Sequence, residues 1–181
     1  YVLMDRIGSQ VWKAIYERQC WNDVRFTENR LYEDISTLYK AVFNMEKSIL
    51  FLPEKLYSYR INQNGISLGG NIVKKHYHIF LGFKEQYEFA LIHSKSRVQD
   101  KALANSTTNL IAMFIDLFSG KETPGKYVND GILFFRNNII DILKNVSLPI
   151  KKKIQVLLIS YCISLYKTLY KVSVRRKKNA E

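Results

Sequence analysis

The chain has 181 residues, 47% hydrophobic, 13% aromatic and 24% charged, with three prolines, eight glycines and a net charge of +12. That length suits one ordinary domain, or a small domain with an appendage, and the composition excludes a disordered, collagenous or proline-rich linker chain. Two distant cysteines, Cys20 and Cys162, make neither a disulfide scaffold nor a tetrahedral zinc site, and no apolar run reaches the roughly eighteen residues of a conventional membrane span.

Tyr1 is followed by no charged-then-apolar leader, so the chain is expected to begin inside a longer protein. Residues 9–18, SQVWKAIYER, set Val11, Trp12, Ile15 and Tyr16 at helical spacing behind a capping Ser9. Val24-Arg25-Phe26 is β-prone and enters the polar turn Thr27-Glu28-Asn29-Arg30, where Asn29 tolerates a left-handed backbone. From Glu33 the stripe Ile35, Leu38, Tyr39, Val42 and Phe43 predicts a helix ending near residues 45–47. Residues 48–52 are expected as a short buried strand closed by Pro53. Residues 56–61 alternate as a second strand and meet the turn Asn62-Gln63-Asn64-Gly65.

From about residue 69 the periodicity is helical, over 72–93, 97–118, 129–144 and 150–172, with breaks at 94–96, 120–125 and 147–149. Such short connections favour antiparallel neighbours. The expected fold class is therefore α+β leading to mostly α: residues 1–68 built from helix and short strands, residues 69–181 a helical C-terminal bundle.

The charge is uneven. Residues 142–181 hold ten Lys/Arg against one acid, Glu181, whereas residues 1–141 are nearly balanced. A local positive field attracts phosphate-bearing surfaces. In the last predicted helix, apolar residues alternate with Tyr161, Tyr166 and Tyr170. It is flanked by Lys151, Lys152 and Lys153, contains Lys167 and Lys171, and closes on Arg175 and Arg176. Basic flanks and interfacial tyrosines suit an in-plane helix on an anionic membrane surface, and equally a bundle helix with its basic ends in water. No nucleic-acid reading motif accompanies the charge, so nucleic acid is not an expected partner.

Tyr32-Glu33-Asp34 is the sharpest local feature. Acids at a helix start complement its free N–H groups and dipole, and by itself the pair reads as helix stabilisation. A carboxylate held there can also take a proton from a hydroxyl brought within about 3 Å.

Taken in order, VWKAIYER, VRFTENRLYED, LYSYR and Gly65-Ile66-Ser67 resemble the C-terminal half of the catalytic domain of family 2 glycosyltransferases, which have the GT-A fold. The resemblance covers about residues 9–68. It departs from the family pattern at Lys13-Ala14, where Asn-Lys is usual, at Asn29, where Gly is usual, and in the order of Ile66-Ser67. It implies that the first region is a partial GT-A catalytic half and that Asp34 is the base of an inverting sugar transfer, with Glu33 assisting. The full enzyme would take a nucleotide sugar and a glycan or lipid-linked acceptor in bacterial surface polysaccharide synthesis. It would use a divalent metal, Mn or Mg, held by an Asp-x-Asp motif that this chain lacks. This chain alone, expected to hold no cofactor, would be inactive.

Trp12 and Tyr16 read as acceptor-site aromatics or as core residues, and Arg60 as a diphosphate contact or a surface arginine. His76 and His78 lie about 200° apart on their helix and cannot share a ligand face. The resemblance implies a cytoplasmic protein, peripheral at the inner face of the membrane. The rival reading is a non-catalytic helical module that docks on membrane or forms a homo-oligomer.

Overall fold

The computed structural model describes residues 2–4, 8–46, 48–62, 65, 70–120 and 126–178, except the side chains at 4, 126 and 174–178. Its helices are α1 (Glu33–Phe43), α2 (Ile72–His93), α3 (Ser96–Phe118), α4 (Lys126–Asn137), α5 (Ile139–Lys144), α6 (Ile150–Tyr161) and α7 (Ile163–Lys178).

The centre is the antiparallel hairpin of α2 and α3. Asn71 starts α2 by accepting the Lys74 N–H at 2.6 Å, the bond that caps a free helix N-terminus. Gln99 closes the hairpin, its Nε2 donating to the carbonyls of Ala90 at 3.2 Å and Ser94 at 2.9 Å. Small residues on α3 (Ala102, Ala104, Ser106 and Thr107) are all buried and let its neighbours approach closely. The Ser106 hydroxyl satisfies itself on the Ala102 carbonyl, 2.9 Å away. Around α3 the core is aromatic and aliphatic, with Phe80 from α2, Phe114 from α3, Phe135 from α4, Ile142 from α5, and Val156 and Ile159 from α6. Fully burying such side chains contributes about 1.5–3 kcal/mol each. Asn145, wholly buried, ties the α5–α6 corner to the start of α3: its Nδ2 donates to the Asp100 carbonyl at 2.7 Å, and its Oδ1 accepts the Ser147 N–H at 2.8 Å.

The expected α+β region is not formed; among the described residues there is no strand. Residues 48–62 are non-helical with no ladder, and Leu50, Phe51, Leu52, Leu56 and Ile61 are exposed. A strand is stabilised by cross-strand pairing, and the described residues offer these β-prone runs no partner strand. This overturns the partial GT-A architecture expected for residues 1–68. Val24 is buried, but its N–H closes a turn on the Trp21 carbonyl at 3.3 Å rather than entering a ladder. The helix expected over 9–18 is reduced to a single 3₁₀ turn at Val11–Lys13, after which Ala14 is extended; a second such turn follows at Arg18–Trp21.

The helices of the second region stand close to expectation, with two divisions. The 129–144 run breaks at Asn138, whose Nδ2 bonds the Phe134 carbonyl at 2.8 Å. The 150–172 run breaks at Cys162 (φ −137°, ψ 50°). Asn29 adopts the left-handed backbone its type allows (φ 56°). The 62–65 turn is closed by the Gly65 N–H on the Asn62 carbonyl at 3.0 Å. Gln63, Asn64, Ile66, Ser67 and the break at 121–125 lie outside the described residues. Among the described residues no helix is long and apolar enough to cross a membrane.

Candidate functional site

The Glu33-Asp34 pair occupies the first turn of α1. The chain reaches it through Tyr32, which is left-handed (φ 57°, ψ 41°) and offers no side-chain cap. A bulky residue in that region costs of order 1–3 kcal/mol and persists only where its surroundings impose it. Here they do. On the N-terminal side, Arg30 forms an ion pair with Glu85, and the Leu31 N–H donates to Nδ1 of His78 at 2.8 Å. On the C-terminal side, Nε2 of Gln86 donates to the Ile35 carbonyl at 2.6 Å. Between these clamps Gly82 brings the α2 backbone against α1: a Cβ there would meet Ile35 Cγ2 at 2.8 Å and Ile35 Cβ at 3.0 Å. Further along, Phe89 packs edge-on against Tyr39 and Phe43 at ring separations of 5.0 and 5.1 Å.

Asp34 is half-buried. Burial pushes its carboxyl above the ordinary carboxylate range; the Ile35 N–H, donating to Oδ1 at 2.9 Å, opposes this, and the Glu33 charge adds to it. Tyr32 is likewise raised, by burial and by the Asp34 charge. Tyr39 is raised strongly, by burial and then by Glu85 and Glu88, with Arg30 acting against them. Chemically, the arrangement is a rigidly placed, partly desolvated carboxylate, more basic than an exposed one and suited to accepting a proton.

The partners of this turn escaped the sequence reading. His78, Gly82, Glu85, Gln86 and Phe89 form one row of α2 by helical spacing, and an unexplained glycine inside that row was the single local signal. His76 is on another face of α2, its Nδ1 3.2 Å from Asp116 Oδ2 on α3.

Trp12 and Tyr16 separate. Tyr16 is partly buried against the Val2, Leu38 and Tyr39 cluster, with its ring edge-on to Trp21 at 5.4 Å, and burial raises its hydroxyl. Trp12 is exposed and stacks on Tyr57 at 4.6 Å and Tyr59 at 5.1 Å. These two tyrosines point the same way because i and i+2 of an extended chain share a face. Arg60 follows them and is exposed. Among the described residues no hydrogen bond or ring contact joins Trp12, Tyr57, Tyr59 or Arg60 to Asp34.

The basic end divides too. Lys152 donates to Thr108 Oγ1 at 2.8 Å and is held below the ordinary lysine value by burial and by Lys101. Lys153 donates to the Leu143 carbonyl at 2.7 Å. Lys151, Lys167 and Lys171 are exposed; the side chains of Arg175 and Arg176 lie outside the described residues. Cys20 and Cys162 are both free thiols, the first buried and the second exposed.

Among the described residues no three His, Cys, Asp or Glu side chains converge as a metal-ligand set, and the sequence has no Asp-x-Asp. Comparison with protein-family models, with curated proteins and with solved structures yields no match to this chain.

Proposed function

We propose that the chain supplies the acceptor-side base of an inverting sugar transfer, Asp34, and that other polypeptide supplies the nucleotide-sugar site. The observation that carries this reading is the half-buried carboxylate in the first turn of α1, directly after a left-handed Tyr32 and clamped from both sides onto α2. Backbone held in a sparsely populated region is found disproportionately where a side chain must be aimed. The order of VWKAIYER, VRFTENRLYED and LYSYR supports the same chemistry by resemblance.

In that chemistry an Asp34 oxygen accepts the acceptor hydroxyl's proton while the hydroxyl oxygen attacks the sugar's anomeric carbon from the face opposite the leaving group. The new carbon–oxygen bond forms as the bond to the nucleoside diphosphate breaks, and the anomeric configuration inverts. Partial burial makes Asp34 the better base. Glu33, beside it, orients the acceptor. A cytoplasmic location, peripheral at the inner face of the membrane, belongs to the same reading, because lipid-linked acceptors are presented there.

Transfer from uridine and guanosine diphosphate sugars, assayed with the chain in its full polypeptide, tests the base. Asp34→Asn is expected to abolish transfer while leaving the melting transition in place. Turnover by Asp34→Asn at the wild-type rate would remove the assignment.

The second reading is a helical docking module without catalysis. It is favoured by two observations: all regular structure among the described residues is helical, and α6 turns apolar side chains outward. Retained membrane binding with no transfer in any polypeptide context would favour it.

A further inference from the structure

Helix α6 has two apolar faces. Val156 and Ile159, both 0% exposed, enter the core beside α3 and α4. On the opposite side Ile150, Ile154, Leu157 and Tyr161, spaced by four, three and four residues, form one stripe exposed at 75, 51, 38 and 59%. A surface helix ordinarily turns polar residues outward, so a second apolar stripe opposite the packed one marks a contact surface.

Cations bracket the stripe. Lys151 stands exposed in its first turn, and at its far end Arg136 lies over the Tyr161 ring, 5.5 Å from the centroid. Arg136 is anchored there by two bonds to the Ser160 carbonyl, at 2.9 and 2.6 Å. Lys152 and Lys153 turn away from the stripe, to Thr108 Oγ1 and the Leu143 carbonyl.

We infer that this outward face of α6 is the surface by which the protein lies on an anionic lipid bilayer, with Ile150, Ile154, Leu157 and Tyr161 entering the acyl boundary and Lys151 and Arg136 meeting headgroup phosphates. The alternatives fit less well. A second copy would set the Lys151 and Arg136 cations that bracket the stripe against the same cations of its partner, and like charges repel. A nucleic acid would take the cations and leave the apolar stripe in water. A bilayer satisfies both, and an interfacial tyrosine suits its edge. At twelve residues and about 1.5 Å per residue, α6 is far too short to span, so it binds in the plane. This inference rests on the peripheral placement proposed above and is independent of Asp34.

Co-sedimentation of the chain with phosphatidylglycerol–phosphatidylcholine vesicles, against phosphatidylcholine alone, tests it. The wild type is expected to pellet with the anionic vesicles and to be released as salt rises. Ile154→Glu/Leu157→Glu should weaken that partition by at least about tenfold, since two apolar side chains leave the lipid. Ile150→Glu, outside the core and read in the same way, should weaken it too and guards against a double variant that fails to fold, which circular dichroism would reveal. Folded variants that pellet like the wild type would overturn the inference. So would equal binding to both vesicle types, or a wild type that stays in the supernatant and elutes as a dimer. Asp34→Asn, included in the same series, should pellet normally, so a loss of transfer and a loss of membrane binding are told apart.

Discussion

The Leu31 N–H donates to Nδ1 of His78 at 2.8 Å, so a backbone amide just ahead of α1 is held by a side chain 47 residues away on α2. The neighbour of this bond in the clamp is the Arg30–Glu85 ion pair. Together they impose the left-handed Tyr32 that presents Glu33 and Asp34.

His78→Ala removes the acceptor and leaves a partly buried donor unpaired, at a cost of about 1–2 kcal/mol. The loss should be local first. Amide exchange at Leu31 is expected to accelerate more than exchange in α3, with a lower melting temperature. Unchanged exchange at Leu31 would mean that the turn is held without this bond.

Asp34→Asn separates stability from chemistry. Burial penalises the ionised Asp34 carboxylate in the folded chain and not in the unfolded one. An acid raised above its unfolded value of 3.8 keeps more protons when folded, so stability falls as pH rises from 3.8 through the raised value and stays lower above it. The variant should therefore melt at or above the wild-type temperature at neutral pH, and the difference should vanish in acid below 3.8. Sugar transfer by the full polypeptide should drop by about two to four powers of ten, as for loss of a general base. A variant less stable than wild type at neutral pH would contradict the desolvation account.

Gly82→Ala sets two effects against each other. Alanine improves helix propensity by about 1 kcal/mol. Its Cβ, however, would stand 3.0 Å from Ile35 Cβ, an atom that no rotamer change can move aside. Overpacking of this kind costs about 1–3 kcal/mol, so net destabilisation by roughly 1 kcal/mol is expected. Combining it with Ile35→Ala, which keeps Cβ but removes the nearer contact at Cγ2 (2.8 Å), should give less than the sum of the single losses. Additive losses in a denaturant titration would show that the two helices do not meet there.

Asn145→Ala strips the α5–α6 corner of both its bonds, to the Asp100 carbonyl and the Ser147 N–H. The side chain is fully buried, so the stranded groups cost about 1–3 kcal/mol. Chemical denaturation should show a lower midpoint with an unchanged slope. A change of slope instead would mean that the corner unfolds separately from the bundle.

Helix positions were legible because a helix's hydrogen bonds and its apolar periodicity are both local in the sequence. The expected 72–93 run coincides with α2, and the expected 97–118 run differs from α3 by a single residue. The acids at the start of α1 and the left-handed Asn29 were readable for the same local reason. The breaks at Asn138 and Cys162 were missed: neither is a proline or a glycine, and both interrupt continuous apolar periodicity.

The amino-acid order by itself determined where α1 and most of the helical stretch after residue 72 run, where the carboxylate pair falls and where the positive charge gathers, since these depend on residues within a turn or two of one another; it did not determine that residues 9–18 form only a 3₁₀ turn. Only the tertiary structure decided that residues 48–62 form no ladder, that His78, Glu85 and Gln86 hold the turn before Asp34, and that α6 faces outward with Ile150, Ile154, Leu157 and Tyr161. A strand needs a partner strand, a clamp needs a second helix, and an outward face exists only once the opposite face is buried. Each depends on residues far apart in the chain that meet only in the folded molecule.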